Sequence, residues 1–221
     1  MALDDPINTQ FALAESAISS DVQEDWGGPW PTRFVIRTID LVEVQVAVGG
    51  QVVTQLQAFF RNHTLAQALP ATGIAQAIKD AVGGSLVPVA SSLAESPRTP
   101  LDLEVKDEPL YIVFILGKPS NMTFNPLRKA ISHKNLDDRD RYGNLRHVKA
   151  TATSYEEDEE GLSDCRIAYF VAYPPAPPAS NYKHGFNLNV RLLQPPNLDG
   201  SPRWLDIQID PDVRYPGGSG T

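Results

Sequence analysis

The chain has 221 residues, a formal net charge of −8, 42% hydrophobic residues and 21% charged residues. This composition supports one packed domain and excludes a globally disordered chain. The acidic balance repels phosphate backbones and anionic lipids, so we expect neither general nucleic-acid binding nor membrane docking.

The single cysteine, Cys165, excludes an internal disulfide and a multi-cysteine zinc site. The first residues, MALDDPINTQ, lack the basic and apolar regions of a secretory signal. The longest apolar run, LYIVFILG at 110–117, is too short to cross a bilayer. We therefore expect a soluble, cytoplasmic protein, and no sequence motif indicates a cofactor.

Residues 1–32 are predicted to form an N-terminal arm. The stretch DWGGPWP at 25–31 contains glycines and prolines that interrupt regular structure. Within the arm, FALAESAISS at 11–20 favours a short helix with a thin apolar face. We expect the arm to reach another subunit and to support a homo-oligomer, because its aromatic residues have no core of their own.

Residues 33–60 contain the clearest local signal in the chain. Val42 to Val48 alternate apolar and polar residues, which predicts a half-buried strand. The alternation resumes from Val52 to Phe60, after Gly49-Gly50. Two alternating runs around a Gly-Gly pair predict an antiparallel hairpin, because both glycines accept a positive φ.

The middle of the chain combines helix and strand signals. A helix is predicted over 73–82, with Thr72 as its cap and Gly83-Gly84 as its stop. LYIVFILG is apolar on both faces and predicts a central strand. A second short helix, PLRKAISH at 126–133, is predicted to start after Asn125, since asparagine caps helices and proline suits their first position.

The C-terminal half continues the strand pattern. Four further strands are predicted, at 146–155, 165–173, 185–194 and 203–210. The whole pattern predicts a mainly β protein, an antiparallel β-sandwich over 33–212 with two or three short helical insertions. The last residues, 213–221, are predicted to form a flexible tail.

The segment HKNLDDRDRYGNLRH at 133–147 is the densest polar cluster in the chain. An Asp–His pair can supply a general base and its orienting partner, which makes this segment a candidate catalytic site. The candidate catalytic residues are His133, Asp138, Asp140 and His147. An exposed loop whose alternating charges pair locally explains the same residues without any chemistry, and we weigh that interpretation above the catalytic one.

Metal binding in this segment is not predicted. If Asp138 opened an EF-hand loop, Tyr142 and Lys149 would occupy positions that require oxygen ligands. The two histidines are too far apart in sequence to define a zinc geometry, and no cysteine lies near them.

A second charged run, YEEDEEG at 155–161, is predicted to be a self-repelling, flexible loop, and the alternative is a weak cation site or a docking surface for a basic partner. The two charged runs flank one predicted strand, so we expect them at its opposite ends rather than in one site. Trp26, Trp30 and Tyr142 are candidate ligand-binding residues, although an aromatic in the arm is more often an anchor on its own core.

No phosphate loop, G-x-S-x-G or H-E-x-x-H motif is present. The polar clusters lie in predicted loops, and the arm suits docking on a neighbour. These features favour a non-enzymatic binding or self-assembly protein. The alternative is a hydrolase or nucleotide-processing enzyme that uses the Asp/His cluster at 133–147.

The charged segment gives a first test. Replacing Asp138 and Asp140 together by alanine should leave the melting temperature nearly unchanged, with or without calcium, because no calcium site is predicted there. Thermal unfolding with millimolar calcium or a chelator measures this. A calcium-dependent rise in the wild type that the double variant loses would show a bound ion.

Overall fold

The computed structural model describes residues 16–17, 30–62, 67–84, 103–105, 108–117, 121–133, 142–158, 164–174, 182–209 and 212–215. The fold is mainly β, as predicted. Within these ranges no helix is long and apolar enough to span a membrane. The described elements are β1 (Ser16–Ala17), β2 (Arg33–Val48), β3 (Gln51–Asn62), β4 (Gln67–Ala68), α1 (Ile74–Val82), β5 (Leu103–Glu104), β6 (Leu110–Leu116), β7 (Met122–Phe124), β8 (Ile131–His133), β9 (Tyr142–Ala150), β10 (Tyr155–Asp158), β11 (Ile167–Ala172), β12 (Tyr182–Gln194), β13 (Arg203–Ile209) and β14 (Asp212–Tyr215).

The strands form two sheets. Sheet I is built around β12, which pairs with β7, β8, β13 and β14, while β1 and β5 extend it at its two ends. Sheet II has the order β10-β9-β11-β6-β2-β3, and β4 also pairs with β2. Most pairings are antiparallel, as predicted, but β2 pairs parallel with β6 and β14 pairs parallel with β5.

A shared core lies between the two sheets. The inner face of β12 carries Phe186, Leu188 and Val190, whose alternation the sequence shows directly. Phe186 packs against Phe114 and Phe170 of sheet II, with ring centroids 5.7 and 5.5 Å apart. The period-two pattern therefore places the apolar side chains where the sandwich buries them.

The outer face of sheet II is covered by α1. Ala77 and Ile78 of the helix are buried in a second apolar cluster with Phe34, Tyr111 and Tyr169. Strands β6 and β11 are therefore buried on both faces, which confirms the predicted central strand at 110–116. The long apolar run is explained by this double burial.

The helix begins and ends on glycines. Gly73 occupies the N-cap with φ of 86°, and no side chain caps the helix, so the predicted Thr72 cap is wrong. Gly73 reaches this φ because it has no Cβ. The predicted stop at Gly83-Gly84 is confirmed, and Gly84 takes a φ of 78°.

The predicted hairpin is confirmed. Strands β2 and β3 form twelve register pairs, from Arg37 with Asn62 to Val48 with Gln51. Gly49 and Gly50 form the turn with φ values of 59° and 81°. Because β6 pairs with β2 only over 33–39, the part of the hairpin beyond residue 40 is a two-stranded ribbon in the described structure.

Two predicted helices differ from the structure. In PLRKAISH, Asn125 Oδ1 accepts a hydrogen bond from Leu127 N at 3.0 Å, as a cap would, but the chain forms only a turn. The chain then enters β8, because the core buries Ala130 and Ile131. The helix predicted at 11–20 is wrong at Ser16–Ala17, which pairs with β8, and its other residues lie outside the described ranges.

The predicted boundaries also shift at the C-terminal end. Asp212–Tyr215 forms β14 and pairs with Tyr182–Gly185 of β12, so strand pairing continues into the region predicted as a tail. Residues 216–221 lie outside the described ranges, as does most of the predicted arm. The crossing of the arm to another subunit stays a prediction.

Gly117 offers a sharp stability test. A Cβ at this position would lie 1.4 Å from Asp40 Oδ1, and Asp40 is a buried residue. Gly117→Ala should therefore displace a buried carboxylate and cost about 3 kcal/mol of unfolding free energy. Urea unfolding measures the loss.

Gly200→Ala is the control for this variant. Gly200 has a φ of 80° and open space around its missing Cβ, so alanine there should cost only about 1 kcal/mol of backbone strain. Equal losses in the two variants would contradict the steric role of Gly117.

Candidate functional site

A groove opens at one edge of the sandwich, where β9, β10 and the backbone before β11 meet. Its volume is about 390 Å³, within the range of about 300–1,000 Å³ that is usual for small-molecule sites. Tyr155 and the apolar side chains Val148 and Ile167 form part of its wall. Its polar lining consists of Lys149, Thr151, Ser154, Glu156, Asp164 and Arg166.

One side of the groove is the hairpin of β9 and β10. Tyr155–Asp158 is a strand that folds back along β9, so the prediction of a flexible acidic loop is wrong for these residues. Asp158 consequently pairs in register with His147. The two charged runs therefore meet along this hairpin instead of lying at opposite ends of a strand.

The turn between β9 and β10 is held by its own hydroxyl groups. Thr151 Oγ1 accepts hydrogen bonds from the backbone N–H groups of Thr153 and Ser154, at 3.3 and 3.0 Å. The end of α1 packs on this turn, since a Cβ on Gly83 would lie 3.1 Å from Ala152 Cβ. The helix thus supports one wall of the groove from outside.

Arg166 lies on the opposite side of the groove, where a backbone carbonyl fixes its guanidinium. Its guanidinium donates to the carbonyl oxygen of Gly117. Burial lowers the pKa of Arg166, while the negative charge of Asp40 opposes that shift. Arg166 keeps its positive charge at neutral pH because its ordinary pKa is so high.

Asp164 is paired with Arg191 of β12. The Arg191 guanidinium also donates to Thr123 Oγ1 at 3.2 Å and lies 4.0 Å from the ring centroid of Trp204. The negative charge that Asp164 brings to the groove is thereby offset by a fixed cation.

Lys149 has a different environment. It is exposed and lies opposite Glu156 in the register of β9 and β10. Its side chain makes no hydrogen bond or ion pair within the described part of the chain. Its ammonium group is therefore available to an anionic ligand in the groove.

Beside the groove, the outer face of sheet II carries a tyrosine cluster, formed by Tyr111, Tyr155, Tyr169 and Glu157. The hydroxyls of Tyr155 and Tyr169 both donate to Glu157 Oε1, the latter at 2.8 Å. Arg146 Nε lies 3.8 Å from Glu157 Oε2. The Tyr111 and Tyr169 rings meet edge to face, with centroids 5.8 Å apart. Tyr155 belongs to both features, so the cluster fixes a wall of the groove.

Burial keeps the phenols of this face protonated. It raises the pKa of Tyr169 and of Tyr155 well above the usual value, and the charge of Glu157 adds to both shifts. Burial also raises the pKa of Tyr173 to about 12. The hydroxyls of Tyr155 and Tyr169 therefore remain hydrogen-bond donors to Glu157 over the physiological pH range.

The sequence-predicted catalytic residues are not gathered by the described structure. His147 is 1% exposed, and its Nε2 accepts a hydrogen bond from Ala130 N at 3.0 Å, which ties β9 to the turn before β8. His133 lies at the end of β8 in sheet I. Asp138 and Asp140 lie outside the described residues, so their catalytic role stays a prediction.

Among the described residues no three His, Cys, Asp or Glu side chains form a metal-binding group.

The aromatic candidates have separate locations. Tyr142 is fully buried, and its ring contacts Phe170 and Phe186 at centroid distances of 5.3 and 5.9 Å. It is a core residue, with no surface for a ligand. Trp30 is 61% exposed, whereas Trp26 lies outside the described residues. Cys165 is buried, and a buried thiol is usually inert.

Sequence reasoning missed Lys149, Arg166 and the tyrosine cluster. The alternation of Tyr155 and Glu157 was a visible strand signal, but five consecutive acids obscured it. Tyr169 and Arg146 are directly opposite each other in the register of β11 and β9. Without the register of β9 and β11, the sequence does not show that Arg146 and Tyr169 share a face of the sheet with Glu157.

A family model described as "Predicted novel nucleotide synthetase" matches residues 60–218, more than half of the chain. The chain belongs to this family. Searches of the curated proteins and of the solved structures give no significant match. The groove and the tyrosine cluster lie inside the matched residues.

Membership of the nucleotide synthetase family overturns the prediction of a non-enzymatic binding or self-assembly protein. It agrees with the alternative of a nucleotide-processing enzyme. The absence of familiar catalytic motifs from the sequence does not exclude an enzyme. A site assembled from single residues on several strands leaves no compact motif.

The tyrosine cluster predicts a pH-dependent variant. At pH 7, Tyr169→Phe loses a hydrogen bond to a carboxylate and should cost about 2 kcal/mol of unfolding free energy. Tyr169 has a raised pKa in the folded state, so its stabilising contribution is present below the unfolded value of 10.0 and is lost as pH rises above it. The difference between wild type and variant should therefore shrink from pH 10 upward. Urea unfolding at pH 7 and pH 11 measures it, and a constant difference would contradict this environment for Tyr169.

Proposed function

We propose that this protein is an enzyme that forms a nucleotide product and binds its nucleotide substrate in the groove. The family match over residues 60–218 is the observation that carries this proposal. The groove supports it because it combines a suitable volume with residues from β9, from β10 with its turn, and from the segment that leads into β11. Sites assembled in this way lie on a rigid scaffold, as substrate positioning requires.

The charges of the groove suit phosphate groups. The chain as a whole is acidic, so a phosphate ligand needs a local source of positive charge. Lys149 supplies an ammonium with no partner in the described structure, and Arg166 supplies a guanidinium held by Gly117. Thr151 and Ser154 line the same groove, and their hydroxyls are hydrogen-bonded to each other at 2.7 Å, which leaves one O–H of the pair to donate to a phosphate oxygen.

The wall formed by Tyr155 suits the rest of a nucleotide. Its ring offers an apolar face against which a base can stack, and its hydroxyl is anchored to Glu157. Anchoring reduces the side-chain entropy that is lost when a ligand binds. The groove can therefore contact a base and a phosphate group at the same time.

The proposal is tested by measuring binding and turnover of nucleotides. Nucleoside mono-, di- and triphosphates with magnesium are titrated by calorimetry, and mixtures are then incubated and separated by liquid chromatography with mass detection. We expect one nucleotide class to bind and a new nucleotide species to form. Absence of both binding and conversion across the panel would refute the proposal.

Lys149→Gln tests the position of the phosphate group. This variant should bind a nucleoside triphosphate about tenfold more weakly, equivalent to about 1.4 kcal/mol, because it loses a charge-assisted contact. Binding of the unphosphorylated nucleoside should not change. Calorimetry with the two ligands measures the difference.

Lys129→Gln is the matched control, since Lys129 lies in the turn before β8 and does not line the groove. It removes the same charge from the chain and should leave affinity for the triphosphate unaltered. Equal weakening in the two variants would place the phosphate elsewhere or show a general effect of net charge.

A further inference from the structure

The two edges of sheet II are built differently. One edge is β10, a strand of four residues that contains Glu156, Glu157 and Asp158. The other edge is β3, a strand of twelve residues with no strand on its outer side in the described structure. A long open edge presents a row of unpaired backbone groups to any other strand.

Strand β3 lacks the features that usually protect such an edge. From Gln51 to Phe60 its sequence contains no charged residue and no proline. Its twelve pairs with β2 run without a register shift, so no bulge twists the edge away. Short length, charge, proline and bulges are the means by which monomeric proteins prevent edge pairing. β10 is short and charged, whereas β3 is long, has no bulge and no proline, and carries its one charged residue, Arg61, next to its end.

The tip of the hairpin is also apolar and exposed. Val48, Val52 and Val53 are 53%, 69% and 37% exposed. Beyond residue 40 only the pairing of β2 with β3 supports the ribbon in the described structure. A two-stranded ribbon is marginally stable by itself, so a ribbon with an apolar tip gains most from an additional strand.

We propose that β3 pairs antiparallel with β3 of a second copy of this chain, so that the two copies of sheet II form one continuous sheet. A two-fold axis through the middle of β3 makes the pairing antiparallel and self-complementary. The uncharged strip from Gln51 to Phe60 is what permits two chains of charge −8 to approach each other. This quaternary arrangement is independent of the proposed activity, and it leaves both grooves open at the far edges.

The hairpin turn determines which backbone groups are available. Val48 and Gln51 flank a two-residue turn and are paired, so they exchange both backbone hydrogen bonds. From Gln51 onward, every second residue of β3 therefore directs its backbone N–H and C=O groups toward β2. The N–H groups of Val52, Thr54 and Leu56 consequently point away from β2, toward the second copy.

The test places lysines on the edge strand and on its neighbour. Val52→Lys with Thr54→Lys adds four ammonium groups to the paired edge strands of the dimer. Ala47→Lys with Gln45→Lys is the matched control, because these exposed residues pair directly with Val52 and Thr54 and share their face. The two double variants differ in whether the charge lies on β3 or β2.

Light scattering over a range of concentrations gives the mass, and circular dichroism verifies the fold. We expect a dimer for the wild type and the control, and a dissociation constant at least about 100-fold higher for the β3 variant. Hydrogen exchange should protect the amides of Val52, Thr54 and Leu56 in the wild type and not in the β3 variant. A wild type that remains monomeric at the highest concentration overturns the proposal. Equal behaviour of the two double variants also overturns it.

Discussion

The backbone of residues 164–166 joins the two sheets, and the groove depends on this connection. Cys165 O accepts a hydrogen bond from Phe124 N of sheet I, and Arg166 O accepts one from Leu116 N of sheet II, each at 2.8 Å. Consecutive peptide groups are thus bonded to different sheets. These two bonds fix the backbone around Cys165. Asp164 and Arg166, the residues on either side of it, therefore enter the groove from a rigid backbone although they lie outside any strand.

The opposite wall is fixed by a different mechanism, in which polar groups hold an edge strand in place. β10 has only four residues and a high density of negative charge, which would favour solvent over pairing. Glu157 reverses this tendency, because it accepts hydrogen bonds from Tyr155 and Tyr169 and lies near Arg146. One carboxylate therefore connects β9, β10 and β11. The Gly83 end of α1 supports the same wall at the turn.

The sequence predicts the β architecture well because a half-buried strand has a period of two. The hairpin at Gly49-Gly50 and the inner face of β12 follow directly from that pattern. PLRKAISH has a good helix start, but two core residues, Ala130 and Ile131, draw the chain into β8. Local capping preferences of about 1 kcal/mol are overridden by such burial.

The candidate site was less predictable. Register brings Arg146 beside Tyr169, whereas composition makes 133–147 the most conspicuous segment, although its His147 is a buried link between elements.

The two edges of sheet II differ in length and in charge. The charged edge at β10 borders the groove, and like charges there oppose addition of another strand while the tyrosine cluster keeps β10 in place. From Gln51 to Phe60 the edge at β3 has no charged residue, and no strand of the described structure covers it. The family match starts at Phe60, close to the end of β3, so most of the hairpin precedes the matched residues while the groove lies within them. The chemistry that defines the family is therefore expected in the shared part of the chain, and the site that we propose lies there, at the edge of sheet II that is farthest from the hairpin. A partner strand on β3 would extend the sheet without approaching that chemistry, and it would stabilise the ribbon at the same time.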